Sequence, residues 1–306
     1  MAFGVFGGAP GAPVVEAEPG RRSPVALLLL LPGIAYLALF FVVPFVSLVI
    51  TSLQAPDPFG DIGRYVAAFR WENYVEVMTR YWPHILRSFG YALAATALAL
   101  AIGYPLAYFI GVKLRRFKLL QALVLVLVIA PFFISFLLRT FAWKQILSDN
   151  GPVVTVLQSL TILPDDARIT GTPFAVIFGL AYNFIPFMTL PIYTSLERLD
   201  VRYLEAGSDL YSNPVSTFFR VTLPLSMPGV ISGTLLTFIP ASGDYINASS
   251  EFLGSAETAM IGNVIEANFL KIENYPVAAS LSIILMTAIL LLVAAYVRRS
   301  GTKDLV

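Results

Sequence analysis

The chain contains 306 residues, of which 57% are hydrophobic and 13% are charged. Soluble domains average about 45–50% apolar and about 25% charged residues, so this composition excludes a water-soluble fold and predicts a membrane protein. The formal net charge of +1 argues against nucleic acid as a partner. The chain has no cysteine and a single histidine, His84, so disulfides and thiolate metal sites are excluded and no metal site is expected.

The N-terminal region divides into a tail and a first membrane span. Residues 1–24 are rich in glycine, alanine and proline, a composition typical of a disordered segment. The apolar run at residues 25–53 follows Arg21 and Arg22, as in a signal peptide, but it is too long for one and no small-x-small cleavage site follows it. It is therefore predicted to be an uncleaved span at the periphery of the membrane domain.

Six charge-free windows are long enough to cross a bilayer, whose hydrocarbon core of about 30 Å takes about 20 helical residues. A charge at the centre of a span costs about 2.5–3.5 kcal/mol on insertion scales, so six clean windows indicate six membrane helices. The sequence thus predicts an all-α, polytopic membrane protein with its membrane domain at residues 25–300 and its core spans at about 86–297. The windows are residues 24–56, 88–112, 119–138, 169–196, 221–243 and 274–297.

Lysine and arginine residues indicate the orientation of these spans. They cluster in short segments that fall on one side of the membrane, whereas eight cations on the other side are spread over three much longer loops. By the positive-inside rule, both termini, including the tail at residues 301–306, and the segment at about residues 200–223 are predicted to be cytoplasmic. The cation-rich segments are residues 21–22, 113–118, 198–220 and 298–303.

Proline and glycine interrupt nearly every predicted span. Each one alone is interpreted as a kink, which is tolerated because neighbouring helices satisfy the backbone groups that it frees. Together they indicate helices bent around a cavity, as in a transporter. Gly229 and Gly233, four residues apart, would allow another helix to approach closely.

The predicted cytoplasmic segment at residues 200–223 is polar, although it lies between two apolar spans. Asp200 is a predicted N-cap of a short helix that runs to about Tyr211, and Asn213 would cap a second helix with proline at its first position. Small residues at 206–208 leave part of the first helix bare, so another protein could approach it closely. These residues alone fit either a docking element or an interfacial loop that caps the bundle.

The same segment resembles the EAA signature of ABC-importer permeases. Residues 205–207 read Glu-Ala-Gly, and residues 221–224 read Val-Thr-Leu-Pro at the spacing that the signature requires. The sequence departs from the signature by having glycine for the second alanine, valine for isoleucine, and Tyr211 where the family has glycine. The bend at that point must therefore be supplied by residues 212–214.

In that family the element is a coupling helix, which inserts into a surface cleft of an ATPase subunit. The resemblance implies the type I ABC-importer (MetI-like) architecture, with ATP and Mg bound by a partner and no cofactor in this chain. The chain has no Gly-Lys dipeptide and hence no phosphate-binding loop, which agrees with a non-enzymatic transport subunit without catalytic residues. The residues that the resemblance assigns to coupling are Glu205, Ala206, Gly207, Asp209 and Leu210.

Two flanking stretches, residues 180–200 and 239–280, resemble the PotB-type permeases of spermidine/putrescine importers. The resemblance extends from Tyr36 to the end of the chain and implies a cell-membrane permease that translocates polyamines delivered by an extracytoplasmic binding protein. It also implies pairing with a second, related permease and with two ATPase subunits.

Other functions remain open at this point. Within the importer class, the alternative is a permease for phosphonate, thiamine, iron or a sugar. Outside it, a secondary transporter would normally show buried charge or internal repeats, and neither is clear here. A non-transporting scaffold would not need kinked spans around a cavity.

Charge and aromatic residues mark a candidate substrate path. The last predicted external loop, residues 244–274, carries five carboxylates against Lys271. This balance would attract a polycation, although acidic loops also satisfy topology rules or dock a receptor. Asp244 follows the fifth span directly and precedes Tyr245, and a carboxylate beside an aromatic ring suits an alkylammonium.

Two further pairs of residues bear on that path. Tyr182 and Asn183 lie in the middle of the fourth span and are secondary candidates for lining it. Arg139 and Lys144 follow the third span and would repel a polycation from any lumen. Their side chains are therefore predicted to extend to the membrane surface.

Overall fold

The computed structural model describes residues 24–60, 63–164, 166–200, 202, 203, 205, 207 and 213–300. The predicted tails, except for Pro24, lie outside these residues. The chain divides into two compact units, residues 1–48 and 49–306.

The first unit contains helix α1 (Pro24–Leu37), a π-helical turn (Ala38–Val42) and the start of helix α2 (Val43–Ser52). The apolar run Leu28–Ser52 has 25 residues and a mean hydropathy of 2.5. This length exceeds the roughly 20 residues that a bilayer requires, in agreement with the predicted first span. Pro32 lies inside α1 without ending it.

The second unit begins after α2 with a short antiparallel hairpin of β1 (Gln54–Pro56) and β2 (Tyr65–Ala67). Its register places Ala55 opposite Val66. The hairpin lies in the connection to the second span and does not change the all-α class of the membrane domain.

The second span is part of a much longer helix than the charge-free window suggested. Helix α3 (Glu72–Tyr108) continues through a π turn (Phe109–Lys113) and a 3-10 turn (Leu114–Arg116). Together these elements form a run of 45 residues. Charged residues in the first turns of α3 excluded them from the predicted span, although they do not interrupt the helix.

The third span is broken. Helix α4 (Lys118–Ile129) and a 3-10 turn (Ala130–Phe133) precede a bend of 96°, after which helix α5 (Phe136–Leu147) begins. Pro131 lies in that 3-10 turn, so the predicted kink is confirmed. Helix α6 (Pro152–Ser159) follows, in a region that the sequence indicated as an external loop.

The fourth span is helix α7 (Pro173–Arg198), which starts at a cap where the Thr172 hydroxyl accepts a hydrogen bond from the Ala175 amide at 3.3 Å. Pro186 and Pro191 lie inside α7 and do not break it. Proline alone therefore does not decide where a span of this protein bends.

The fifth span is broken as well, with a bend of 68° between its two arms. The first arm consists of helix α8 (Pro214–Thr217), a π turn (Phe218–Thr222) and helix α9 (Leu223–Leu225), and helix α10 (Met227–Ser242) is the second. The bend falls at Ser226, the residue between α9 and α10.

The last elements are helix α11 (Ile261–Glu266), a π turn (Ala267–Lys271) and helix α12 (Tyr275–Ser300). Within the described residues, four helices are long and apolar enough to cross a membrane. The number reaches six when each bent pair is taken as one span. Six spans were predicted, and their positions agree apart from the breaks.

Helices α3, α7 and α10 pack around the core of the second unit. A side chain on Gly229 would place its first carbon 2.7 Å from the Pro191 carbonyl oxygen, and one on Gly233 would lie 2.9 Å from that of Met188. The backbones of α7 and α10 are therefore in direct contact, as the glycine pair predicted. Buried residues of this core include Ala95, Ala99, Leu180, Met188, Ile192 and Val230.

Candidate functional site

A buried polar network joins three separate elements. The Asn183 Nδ2 atom on α7 donates to the Thr140 hydroxyl on α5 at 3.1 Å and to Asn247 Oδ1, beyond α10, at 3.2 Å. These three side chains are at most 1% exposed. Buried polar groups need partners, so the network ties the broken third span to the fourth and fifth spans.

Asp244 extends this network beyond the end of α10. Its Oδ2 atom accepts the Asn247 backbone amide at 2.7 Å, and its Oδ1 atom accepts Asn247 Nδ2 at 3.1 Å. Burial raises the pKa of the Asp244 carboxyl to about 6, while hydrogen bonds from Asn247 and the amides of Ile246 and Ala248 lower it. The group therefore titrates much closer to neutral pH than an exposed aspartate.

The two candidate tyrosines lie outside the hydrogen bonds of this network. Tyr245 is half-exposed, and its backbone carbonyl accepts Asn263 Nδ2 at 2.6 Å. Tyr182 is half-buried and packs edge-on against Trp143, with 5.1 Å between ring centroids. The structure thus brings Asp244 and Asn183 together through Asn247, whereas the Tyr245 side chain is exposed and the Asp244 carboxylate is enclosed.

Arg139 does not reach the surface, and this prediction is wrong. Its side chain is buried, its Nε and Nη1 atoms have no hydrogen-bond partner among the described residues, and its guanidinium lies 5.6 Å from the Phe136 ring centroid. The bend of the third span folds α5 against α7 and encloses this charge. Lys144 is half-buried, and its Nζ donates to the Glu251 carbonyl at 2.7 Å in an exposed hydrogen bond, as predicted for a side chain that extends to the surface.

Thr140 and Asn247 are functional candidates that the sequence reasoning missed. Both are uncharged and neither belongs to a recognisable motif. The available signal was an amide or hydroxyl next to an apolar window, which is too common in membrane helices to single out two residues.

The segment at residues 200–223, called the elbow below, is described at residues 200, 202, 203, 205, 207 and 213–223, which include both predicted caps. Asp200 and Asn213 accept hydrogen bonds from the amides two residues later, Arg202 at 3.0 Å and Val215 at 2.9 Å, as predicted for N-caps. Glu205 is helical and exposed. Ala206, Asp209 and Leu210 lie outside the described residues.

Gly207 shows why the signature alanine is replaced. It is buried, and its carbonyl oxygen accepts the Thr217 hydroxyl at 3.0 Å. A side chain there would lie 2.9 Å from Thr217 Cγ2 and 3.0 Å from Val221 Cγ2, closer than ordinary packing. Gly207 thus touches the segment that contains Thr217 and Val221, and glycine allows the closest approach at this point.

Arg115 fixes the base of this elbow. Its Nη1 atom donates to the Leu199 carbonyl at 2.8 Å and its Nη2 atom to the Glu197 carbonyl at 2.5 Å. The last carbonyls of a helix have no partner within the helix, and a basic side chain there satisfies them. The turn after the second span therefore holds the end of the fourth span where the elbow begins.

Broken membrane helices, a buried polar network between them and a folded elbow beside the cation-rich turn define a class of protein. These features are typical of a polytopic membrane transport protein and would not be needed in a simple membrane anchor.

Comparison with known proteins names the family. Residues 99–300 match the family described as binding-protein-dependent transport system inner membrane component. The chain is 36% identical over 268 residues to the spermidine/putrescine transport system permease protein PotB of Escherichia coli (strain K12), covering 87% of this chain and 94% of that protein. It is 39% identical over 228 residues to the protein of the same name from Haemophilus influenzae, covering 74% and 78%. The chain belongs to this family of ABC-importer permeases.

Solved structures share the fold. A bacterial ABC transporter that imports the acidic polysaccharide alginate aligns with a TM-score of 0.64 at 16% identity, covering 92% of this chain and 97% of that chain. The predicted type I (MetI-like) architecture is therefore confirmed. The chain is a multi-pass inner-membrane transport subunit, and an importer of this class works with ATPase subunits and a periplasmic binding protein.

Proposed function

We propose that this permease translocates polyamines, with spermidine and putrescine as the substrate class. The observation that carries the proposal is the 36% identity over 87% of the chain to a spermidine/putrescine permease. The charge of the connection between α10 and α12 supports it. Five carboxylates and one lysine in this predicted external segment would raise the local concentration of a polycation.

The proposed path passes the buried network. Asn183 Oδ1 is buried and accepts no hydrogen bond among the described residues, so it is available to an ammonium N–H. Asp244 supplies a carboxylate on the same network, and Tyr182 and Tyr245, next to Asn183 and Asp244 in the sequence, remain candidate aromatic residues of the path. A cation passing this point would meet one unused acceptor, Asn183 Oδ1, and the charge of the Asp244 carboxylate, which is the support for these two residues.

ATP hydrolysis is proposed to occur on two separate ATPase subunits, with the elbow at residues 200–223 as the coupling element. Glu205 is exposed for contact with a partner, Arg115 holds the end of α7 where the elbow begins, and the Gly207–Thr217 hydrogen bond joins two parts of the elbow to each other. A displacement of Glu205 by an ATPase subunit would therefore be transmitted to α7 and α10.

The proposed membrane orientation and the proposed pairing with a second permease both follow from membership of the ABC-importer family. The cation-rich turns support cytoplasmic termini, with ATPase contact on that side and the binding protein on the other. Large apolar side chains of the third span stay exposed, including Leu119, Leu127 and Phe133 at 77%, 69% and 88%. They support contact with lipid and with a second, related permease in a heterodimer.

The test is reconstitution of this chain with its partner permease, ATPase subunits and binding protein in lipid vesicles. Spermidine or putrescine bound to the binding protein should stimulate ATP hydrolysis and accumulate inside the vesicles. Phosphonate, thiamine, iron and a sugar serve as controls. Phosphonate is the most informative control, because the Nε and Nη1 atoms of the buried Arg139 have no hydrogen-bond partner among the described residues and would suit an anion. Stimulation by one of these solutes and not by a polyamine would overturn the proposed substrate.

A further inference from the structure

A cavity of about 360 Å³ lies in the connection between α10 and α12 and adjoins the buried network at Ala248. It is lined by Tyr81 near the start of α3, by the loop at residues 248–250, and by α11 with the π turn that follows it. Glu266 is the one carboxylate and Lys271 the one ammonium among the described residues that line it. The remaining lining is mainly hydroxyls, amides and small apolar side chains.

The π turn places these two charges together. Glu266 and Lys271 are five residues apart, a spacing that would separate them by about 140° around an α-helix. The π turn Ala267–Lys271 is closed by a hydrogen bond from the Ile272 amide to the Ala267 carbonyl at 2.9 Å. As a result, Lys271 Nζ lies 3.6 Å from Glu266 Oε1. Turns of this kind are rare and are often found at functional sites.

The two partners of this ion pair differ in accessibility. The Glu266 side chain is 26% exposed and is held in the cavity wall, whereas the Lys271 side chain is 61% exposed on a flexible stem. Exposed ion pairs of this type contribute little to stability, so Lys271 can leave Glu266 at low cost. Its departure would leave a carboxylate without its cation in the wall of a cavity with hydroxyl and amide groups in its lining, where it would attract an alkylammonium group.

We infer that Glu266 is an entry site for the primary ammonium group of the substrate, and that Lys271 occupies this site between transport cycles. The inference rests on the proposed polyamine function. A lysine side chain carries the same primary alkylammonium as the ends of a polyamine, so the internal ion pair reproduces the contact that the substrate makes. Substrate released by the binding protein displaces Lys271, pairs with Glu266 and then moves on toward Asp244.

The test measures the maximal rate of spermidine uptake by the reconstituted importer at saturating, spermidine-loaded binding protein. Glu266→Gln should lower this rate about threefold to tenfold, because the ammonium loses its charged acceptor. Lys271→Met should leave the rate at the wild-type value or raise it, because the competitor for Glu266 is removed. Glu257→Gln is the matched control, since it removes an exposed carboxylate from the same connection without lining the cavity.

Opposite effects of the two substitutions separate an entry site from a structural ion pair. Equal losses in Glu266→Gln and Lys271→Met would overturn the inference, as would a wild-type rate in Glu266→Gln. The amount of assembled importer in the vesicles is measured for each variant, so that a folding defect is not counted as a transport defect. If the wild-type importer accumulates no spermidine, the proposed function fails before the variants are compared.

Discussion

Asn183 and Asn247 share a hydrogen bond of 3.2 Å that joins the middle of α7 to the turn beyond α10. Thr140 and Asp244 complete the network on either side. The fourth and fifth spans are thus linked by side chains as well as by the close approach of Gly229 and Gly233 to the α7 backbone. Movement of one span relative to the other must break this network.

Asn183→Leu should destabilise the assembled importer by about 1–3 kcal/mol, because the Thr140 hydroxyl and Asn247 Oδ1 would both lose the Asn183 donor while remaining buried. Thermal denaturation of the purified complex in detergent measures the effect. Thr194→Ala is the control, since it removes an exposed hydroxyl from the same helix. Equal transition temperatures of Asn183→Leu and the control would contradict a stabilising network.

Stability should depend on pH through Asp244. Its pKa is raised from 3.8 to about 6 in the folded protein, so the protonated form is favoured there. The corresponding stabilisation is complete below about pH 4 and is lost as the pH rises through about 6. The difference amounts to roughly 3 kcal/mol at most.

Transition temperatures measured between pH 4 and pH 7.5 check this dependence. They should decline for the wild type and change less for Asp244→Asn, which cannot ionise. Glu251→Gln, an exposed position of the same connection, should retain the wild-type slope. A similar slope in all three proteins would assign the dependence to other groups.

Asp244→Asn should also lower polyamine uptake more than it lowers assembly. An amide can keep an acceptor oxygen for the Asn247 backbone amide but has no charge to pair with an ammonium. Uptake per assembled importer is the measurement. An unchanged rate would remove Asp244 from the proposed path.

Glu205→Arg should uncouple or detach the ATPase subunits while the permease still inserts into the membrane. Glu205 is exposed on the elbow, so reversing its charge alters the proposed partner surface and no described core contact. Co-purification of the ATPase and substrate-stimulated ATP hydrolysis are measured together. Normal values of both would exclude Glu205 from coupling.

Arg115→Ala should weaken coupling with little change in ATPase attachment, because it frees the end of α7 where the elbow begins. Loss of two charge-assisted hydrogen bonds should also lower stability by about 1–3 kcal/mol. Arg116→Ala removes the neighbouring, exposed charge and serves as the control. If both variants hydrolyse ATP in response to substrate as the wild type does, the anchor has no role in coupling.

The sequence alone determined the class of this protein and the approximate positions of its six spans. Lipid solvates only apolar surface, so each span must be apolar over about 20 residues and can be recognised from the composition of such a window. The caps at Asp200 and Asn213 were predictable for a similar reason, because a cap depends on one side chain and the amide two residues away. The importer family was predictable from the signature at residues 205–224.

Tertiary structure decided where the spans break and which polar groups meet. Pro131 lies at a break whereas Pro186 and Pro191 do not, because neighbouring helices determine whether a kinked backbone is satisfied. The 96° bend buries Arg139, which an unbroken span would have left at the surface. Thr140, Asn183 and Asn247 meet across 107 residues of chain, and hydrogen bonds over such separations depend on packing that no local pattern encodes.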